Sequence, residues 1–114
     1  MARTSTVSPA DIDAAADLLR ALSAPVRFMI VHELQDGERC VHELIDALRR
    51  LGRPVSQSLM SQHLRVLRGA GLVTTERRGQ EIAYRLVDRH VAAIATGALE
   101  HAGEPRTQLA GLAD

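Results

Sequence analysis

The chain has 114 residues, of which 46% are hydrophobic and only 2% are aromatic, so it suits one small domain with an aliphatic core and is too short for two. Arginines and acidic residues balance overall, but residues 53–85 hold six Arg against two Glu, and both flanking segments are net acidic. No apolar run reaches the roughly 20 residues of a membrane helix, no secretion signal opens the chain, and the single cysteine cannot form an internal disulfide, so we expect a cytoplasmic protein without a membrane partner.

Four helices are predicted in the first part of the chain. The first begins at Ser8, a capping residue, and has Pro9 in the position that proline favours in a first helical turn. Pro25 restarts the chain as a second helix. Apolar residues recur at helical spacing over residues 41–51 and 56–69, which predicts a third and a fourth helix.

The spacing of apolar residues changes after residue 71. Residues 72–75 are β-prone, and residues 82–86 alternate between apolar and other side chains. The segment Arg78-Gly79-Gln80 lies between them, so we predict a β-hairpin. Asp88 can cap a last helix, and Pro105 ends it.

The order of these elements predicts the fold class. A mainly α domain with a β-hairpin is expected over residues 9–104, between a flexible arm at residues 1–8 and a tail at residues 105–114. The third and fourth helices form a helix-turn-helix, and the hairpin after them is a wing, so the fold is a winged helix-turn-helix.

The fourth predicted helix indicates DNA binding, because its polar face carries short, amide and basic side chains and no acid. Side chains of these types contact base edges and phosphates. We expect the DNA contacts to be Gln57, Ser58, Ser61, Gln62, His63, Arg65 and Arg68 of the helix, with Arg77 and Arg78 at the hairpin tip. For His63, a packed histidine is an equally good interpretation.

The run SQSLMSQHLRVLRGAGLVTTERRGQEIAYRL resembles the recognition helix and wing of the ArsR/SmtB family of bacterial metal-sensing repressors. The earlier runs LRALSAPVRFMIVHEL and ERCVHEL resemble the second helix and the start of the third helix of that family. The resemblance covers about residues 10–104. It implies a homodimer, built from the first and last helices, that represses an operon until an inducer binds; no feature favours an enzyme.

Four potential metal ligands lie on the last predicted helix. Asp88 and His90 are at its start, and His101 and Glu104 are near its end. The two histidines share one face but lie about 16 Å apart, too far for one ion with bonds near 2 Å. The two pairs can meet only between antiparallel last helices of a dimer. From the residues alone, Asp88 as a helix cap and the other three as solvated side chains remain the alternative.

The family resemblance favours the metal interpretation. The spacing Asp-x-His, ten residues, His-x-x-Glu is the zinc-site pattern of the SmtB branch, and all four positions match. It implies zinc as the effector, with cobalt or nickel as alternatives, and a hydrogen bond from His101 to a backbone carbonyl near Gly71 that carries the signal. Pro105 disfavours helical geometry at Glu104, so Glu104 is expected to be the weakest ligand.

A second site is suggested by the start of the third helix, where some family members bind metal through cysteines. Cys40 and His42 occupy this place, but the chain has no second cysteine, so a buried or spectator thiol is the alternative. Cys40 is also the candidate sensor if the regulator responds to redox state or to a small molecule instead of a metal.

Overall fold

The computed structural model describes residues 6–104. Most of the predicted arm, at residues 1–5, and the whole predicted tail, at residues 105–114, lie outside the described residues. The helices are α1 (Pro9–Leu22), α2 (Pro25–Glu33), α3 (Val41–Arg50), α4 (Gln57–Gly69) and α5 (Arg89–Ala102), and the strands are β1 (Arg39–Cys40), β2 (Val73–Arg78) and β3 (Glu81–Leu86). None of the helices in this range is both long and apolar enough to cross a membrane.

Side-chain caps fix the helix starts that the sequence predicts. Ser8 Oγ accepts a hydrogen bond from the Asp11 backbone N–H at 3.1 Å, and the Asp11 carboxylate accepts one from the Ser8 N–H at 3.2 Å. At the start of α4, Ser56 Oγ accepts from the Leu59 N–H at 3.1 Å. These bonds satisfy N–H groups that have no partner within a helix.

The wing is longer than predicted and belongs to a three-stranded antiparallel sheet in the order β1-β3-β2. The β2–β3 pairing extends to Arg78 opposite Glu81, so the turn contains only Gly79 and Gln80. Gly79 has a φ of +63°, which suits a glycine in the first central position of a two-residue hairpin turn. Strand β1 was not predicted from the sequence, because two residues give no periodic signal and pair only after the chain has folded.

The core lies where α2, α3 and α4 meet the base of the wing. Its fully buried side chains are Ile30, Val31, Leu44, Leu48, Met60, Leu64, Leu67 and Leu72. In contrast, α1 and α5 keep large apolar side chains in solvent. Ile12, Leu19, Ile94 and Leu99 are between 37% and 58% exposed, so a single chain leaves much of the apolar surface of its first and last helices uncovered.

Candidate nucleic-acid interface and metal centre

Helix α4 has one buried and one polar side. Met60, Leu64 and Leu67 are fully buried and define the side that faces the core. Ser58 and Gln62 lie on the opposite side of the helix by its 3.6-residue periodicity, and both are exposed. The predicted recognition face is therefore free of contacts that would prevent it from entering a DNA groove.

The flank of α4 that faces the wing carries positive charge. Ser61, Arg65 and Arg68 line an open cavity of about 320 Å³ together with Tyr84 of β3. Neither arginine forms an ion pair with any residue between positions 6 and 104, whereas arginines of α1 and α3 pair with aspartates three residues before them. Gln57 lines a second cavity together with Ile82 and Tyr84 of β3.

The two arginines at the wing tip have different environments. The register places Arg77 opposite Ile82 and Arg78 opposite Glu81, so their side chains emerge on opposite faces of the hairpin. Arg78 forms an ion pair with Glu38, in the loop before β1, and its Nη2 lies 3.8 Å from Glu76. Arg77 makes no ion pair in the described part of the chain. Both DNA contacts stay predictions, but Arg78 already has carboxylate partners within the chain, so we expect Arg77 to contribute more to DNA binding.

The sequence leaves open whether His63 contacts DNA or packs within the chain, and the structure shows a packing contact. Its side chain is half-buried, and its Nδ1 lies 3.2 Å from Arg27 Nη1 of α2. Burial, and then the charge of Arg27, lower the pKa of His63 below its ordinary value. His63 is thus neutral at neutral pH and has a packed partner that sequence reasoning missed, because Arg27 lies 36 residues away.

One side of α5 carries the predicted metal ligands around an apolar centre. His90, Ile94, Gly97 and His101 follow one another at spacings of four, three and four residues, so they form one stripe along the helix. The two histidine side chains are 84% and 72% exposed. A Cβ placed on Gly97 would meet nothing within 4 Å, so this side is open to the close approach of another helix.

Each end of α5 carries a histidine and a carboxylate close together. His90 Nδ1 lies 3.6 Å from Asp88 Oδ1, and His101 Nδ1 lies 3.6 Å from Glu104 Oε1. No group of three or more His, Cys, Asp or Glu side chains between residues 6 and 104 could hold a metal ion within one chain. The donors fit zinc by type, as two imidazoles and two carboxylates, but each chain supplies only two of them in any one place.

Asp88 also performs the structural role that the sequence left as an alternative. It caps α5, with its Oδ1 accepting from the His90 and Val91 backbone N–H groups at 2.9 Å and 3.3 Å. Desolvation works to raise the pKa of Asp88, but these hydrogen bonds and the nearby His90 outweigh it and lower the pKa below its usual value. Asp88 is therefore an ionised carboxylate over the physiological pH range, whether or not it also binds metal.

At the other end of α5, Glu104 lies outside the helix. The helix ends at Ala102 with Gly103 as its C-cap, so Glu104 lies beyond the helix. Its backbone N–H donates to the His101 carbonyl at 3.2 Å. The short connection keeps its side chain near His101 without the rigidity of a helical position.

Cys40 and His42 both lie close to Glu81, a residue that the sequence analysis did not include among the candidates. The Cys40 thiol donates to Glu81 Oε1 at 2.9 Å, and His42 Nδ1 lies 3.7 Å from Glu81 Oε2. The hydrogen bond to Glu81, followed by desolvation and the charges of Glu81 and Glu43, raises the pKa of Cys40 to about 11. This thiol is protonated at neutral pH, unlike the thiolate that metals and oxidants require.

Comparison with known proteins agrees with this architecture. The family described as "Bacterial regulatory protein, arsR family" matches residues 24–75. The HTH-type transcriptional repressor SmtB of Mycobacterium tuberculosis is 56% identical over 93 residues, which cover 82% of this chain and 65% of that repressor. The chain therefore spans just under two thirds of the length of this relative.

Two further comparisons extend over most of both proteins. The HTH-type transcriptional regulator NmtR of Mycobacterium tuberculosis is 40% identical over 97 residues, covering 82% of this chain and 77% of the regulator. A homodimeric winged helix-turn-helix DNA-binding domain from Mycobacterium bovis superposes with a TM-score of 0.72 at 29% identity and covers 90% of each chain. The predicted fold class is thus confirmed, and this chain belongs to the ArsR family of bacterial regulatory proteins.

Proposed function

We propose that the chain forms a homodimer that binds operator DNA through α4 and the wing, represses the adjacent genes, and leaves the DNA when a divalent transition metal binds between its two α5 helices. Zinc is the proposed effector, with cobalt and nickel as alternatives, because all three accept imidazole and carboxylate ligands. A cytoplasmic location accompanies this function as a prediction.

The DNA-binding half of the proposal is supported by the surface of α4. Its outer side offers Ser58 and Gln62, whose side chains can donate to and accept from base edges. Arg65 and Arg68 beside the wing, and Arg77 at its tip, are cations without an internal ion pair in the described residues, so they are available to phosphates. The relatives named above are transcriptional regulators, which agrees with this use of the surface.

The dimer is supported by the apolar surface that one chain leaves exposed on α1 and α5. Large aliphatic side chains in solvent cost free energy that burial against a second copy recovers. On α5, the exposed Ile94 lies three residues from Gly97 on the same side of the helix, where two helix backbones can approach closely. An interface that uses the same surface on both protomers has two-fold symmetry, which also suits two recognition helices that bind neighbouring half-sites of DNA.

One observation supports the proposed metal site: a histidine and a carboxylate lie close together at each end of the exposed stripe of α5. The midpoint between His90 and His101 falls near residues 95 and 96. If two such helices pack antiparallel about that point, Asp88 and His90 of one protomer face the partner's His101 and Glu104. The symmetry then produces two equivalent sites of four ligands each.

The switch follows from thermodynamic linkage. If the dimer that binds metal holds its recognition helices in a geometry that fits DNA less well, then metal lowers DNA affinity and DNA lowers metal affinity by the same factor. His101 is the proposed transmitter, through a hydrogen bond to a backbone carbonyl near Gly71 at the end of α4.

The proposal is tested by fluorescence anisotropy of a labelled duplex that the protein has selected from random sequences. Zinc, cobalt and nickel are titrated separately into the preformed complex. We expect zinc to release wild-type protein, and we expect His101→Gln to bind the duplex with unchanged affinity in the absence of metal but to stay bound when zinc is added. Normal release of the variant by zinc would contradict the role of His101, and unchanged wild-type affinity with every metal would contradict metal sensing.

The alternative, a regulator that senses redox state through Cys40, has less support. Redox-active cysteines carry a depressed pKa and a reactive thiolate, whereas the contact with Glu81 raises the pKa of Cys40 to about 11. Metal binding at Cys40 and His42 must likewise displace the proton from the Cys40 thiol. The metal titration of a Cys40→Ser variant separates these uses, because we expect it to respond to zinc as the wild type does.

A further inference from the structure

A single arginine side chain connects three helices beside the recognition surface. Arg27, near the start of α2, donates from Nε to the carbonyl of Ala21 at the end of α1 at 2.7 Å. Its Nη1 lies 3.2 Å from Nδ1 of His63, in the middle of α4. Arg27 and His63 are both half-buried, so this link is partly shielded from water.

The contact determines which nitrogen of His63 carries the proton. A guanidinium has five N–H donors and no acceptor, so His63 Nδ1 must accept the hydrogen bond. The neutral ring then carries its proton on Nε2. Burial and the charge of Arg27 favour this neutral ring by lowering the pKa of His63.

The position of His63 on α4 indicates what the Nε2–H can reach. His63 lies on the flank of the helix toward α2, away from Ser58 and Gln62, which face outward. When the outer side of a recognition helix faces the bases, its flanks lie near the sugar–phosphate backbone. No hydrogen bond from Nε2 to another residue is formed within residues 6–104, and Arg27 is the side chain that holds the ring.

We propose that Arg27 is a positioning residue for DNA binding, which holds His63 in its Nε2–H tautomer so that this N–H donates to a phosphate oxygen of the operator backbone. The inference rests on the proposed binding of DNA by α4. It joins the two interpretations of His63 that the sequence left open, since one ring nitrogen makes the packing contact and the other contacts DNA. It also assigns a role to Arg27, which the sequence did not single out.

The neighbourhood offers a matched control. Arg20 of α1 lines the same open groove as Arg27, together with Asp17, but it is exposed and pairs with Asp17 at 2.6 Å. Arg20→Met and Arg27→Met both remove one arginine from this groove. Only Arg27→Met removes the donor to His63 Nδ1.

The experiment compares DNA affinity, by fluorescence anisotropy at neutral pH, for Arg27→Met, Arg20→Met, His63→Ala and the double variant of Arg27 and His63. With two copies per dimer, we expect roughly tenfold weaker binding for Arg27→Met and for His63→Ala. We expect no further loss in the double variant and at most about a threefold loss for Arg20→Met. Wild-type affinity of Arg27→Met, or additive losses in the double variant, would overturn the proposal.

His63→Asn separates the DNA contact from packing. Its side-chain oxygen lies close to the place of Nδ1 and can accept from Arg27, but it has no donor at the place of Nε2. We expect thermal stability near that of the wild type with DNA affinity as low as that of His63→Ala. Wild-type DNA affinity of His63→Asn would show that the Nε2–H does not contact phosphate and would overturn the proposal.

A nitrogen-15 NMR spectrum of the histidine rings tests the tautomer without DNA. In the wild-type dimer, His63 is expected to show a protonated Nε2 and a bare Nδ1, and Arg27→Met is expected to give a mixture of tautomers. A protonated Nδ1 in the wild type would overturn the positioning role. If the wild type fails to bind any duplex but shows the expected tautomer, the proposed function fails while the contact itself stands.

Discussion

The two neighbouring arginines of the wing tip should contribute very differently to DNA binding. Arg78 lies between the carboxylates of Glu38 and Glu76, so its charge is already balanced within the chain. Arg77 emerges on the other face of the hairpin and forms no ion pair among residues 6–104. The perturbation is to replace each in turn with glutamine, which removes one charge at adjacent positions of the same strand.

The magnitude follows from counterion release. Each phosphate that a protein neutralises adds about 0.9 to the slope of log affinity against log salt concentration. A dimer presents two wings, so Arg77→Gln should reduce the slope by about 1.8. Between roughly 50 and 200 mM salt, that difference changes the affinity ratio of wild type to variant about 12-fold. Arg78→Gln should leave the slope nearly unchanged.

The assay is anisotropy of one labelled duplex at a series of sodium chloride concentrations, with metal chelated throughout. Glu38→Gln serves as the matched control, because it releases Arg78 from its ion pair and should increase the slope. Equal reductions of the slope by Arg77→Gln and Arg78→Gln would refute the reasoning, since they would show that the ion pair with Glu38 does not keep Arg78 from the DNA.

Three further predictions concern α5 and Cys40. Gly97→Glu should yield a folded monomer in sedimentation, because glutamate favours the helix but places like charges where two α5 helices meet; a stable dimer would contradict the interface. Asp88→Asn should keep the cap and the melting temperature but weaken the zinc response, whereas Asp88→Ala should also lower the melting temperature because it removes the cap. Since the pKa of Asp88 is lowered on folding, its contribution to stability is present above about pH 3.8 and is lost as the pH falls through the lowered value. Cys40 should react slowly with iodoacetamide at pH 8, and Glu81→Gln should accelerate it; rapid reaction of the wild type would refute the raised pKa.

The helices could be predicted from the sequence because their signals are local. Ser8 and Ser56 start helices through bonds to residues three positions further on, and the apolar spacing of α4 marks its buried side directly. The hairpin was also predicted, since Gly79 marks its turn. These features depend on neighbours within a few residues, which a sequence displays without a structure.

The missing features depend on residues that are distant in sequence. Strand β1 exists only because Arg39 and Cys40 pair with β3, and neither residue indicates this partner. The ion pair of Arg78 joins it to Glu38, 40 positions earlier, and gives a partner within the chain to a charge that the sequence predicts to contact DNA. Composition can locate a basic surface, but only the fold shows which of its charges are already neutralised.

The candidate metal site lies between these two cases. The spacing of His90 and His101 fixes their common face and excludes a site within one helix, so an intersubunit site could be predicted from the sequence. The central position of Gly97 in the same stripe could have been found from the 4-3-4 spacing alone. The sequence also predicted that Asp88 can cap the last helix, and its two hydrogen bonds to backbone N–H groups confirm that cap.

The central claim, a metal site shared by two subunits, is tested most directly by mixing two inactive variants. His90→Ala and His101→Ala homodimers each lose a ligand from both sites, so we predict that neither binds zinc tightly in competition with a chromophoric chelator. When the two are unfolded and refolded together in equal amounts, each heterodimer regains one intact site from His90 of one protomer and the partner's His101. Random pairing then gives about one quarter of the wild-type zinc stoichiometry. No recovery of tight binding after refolding together would contradict an intersubunit site.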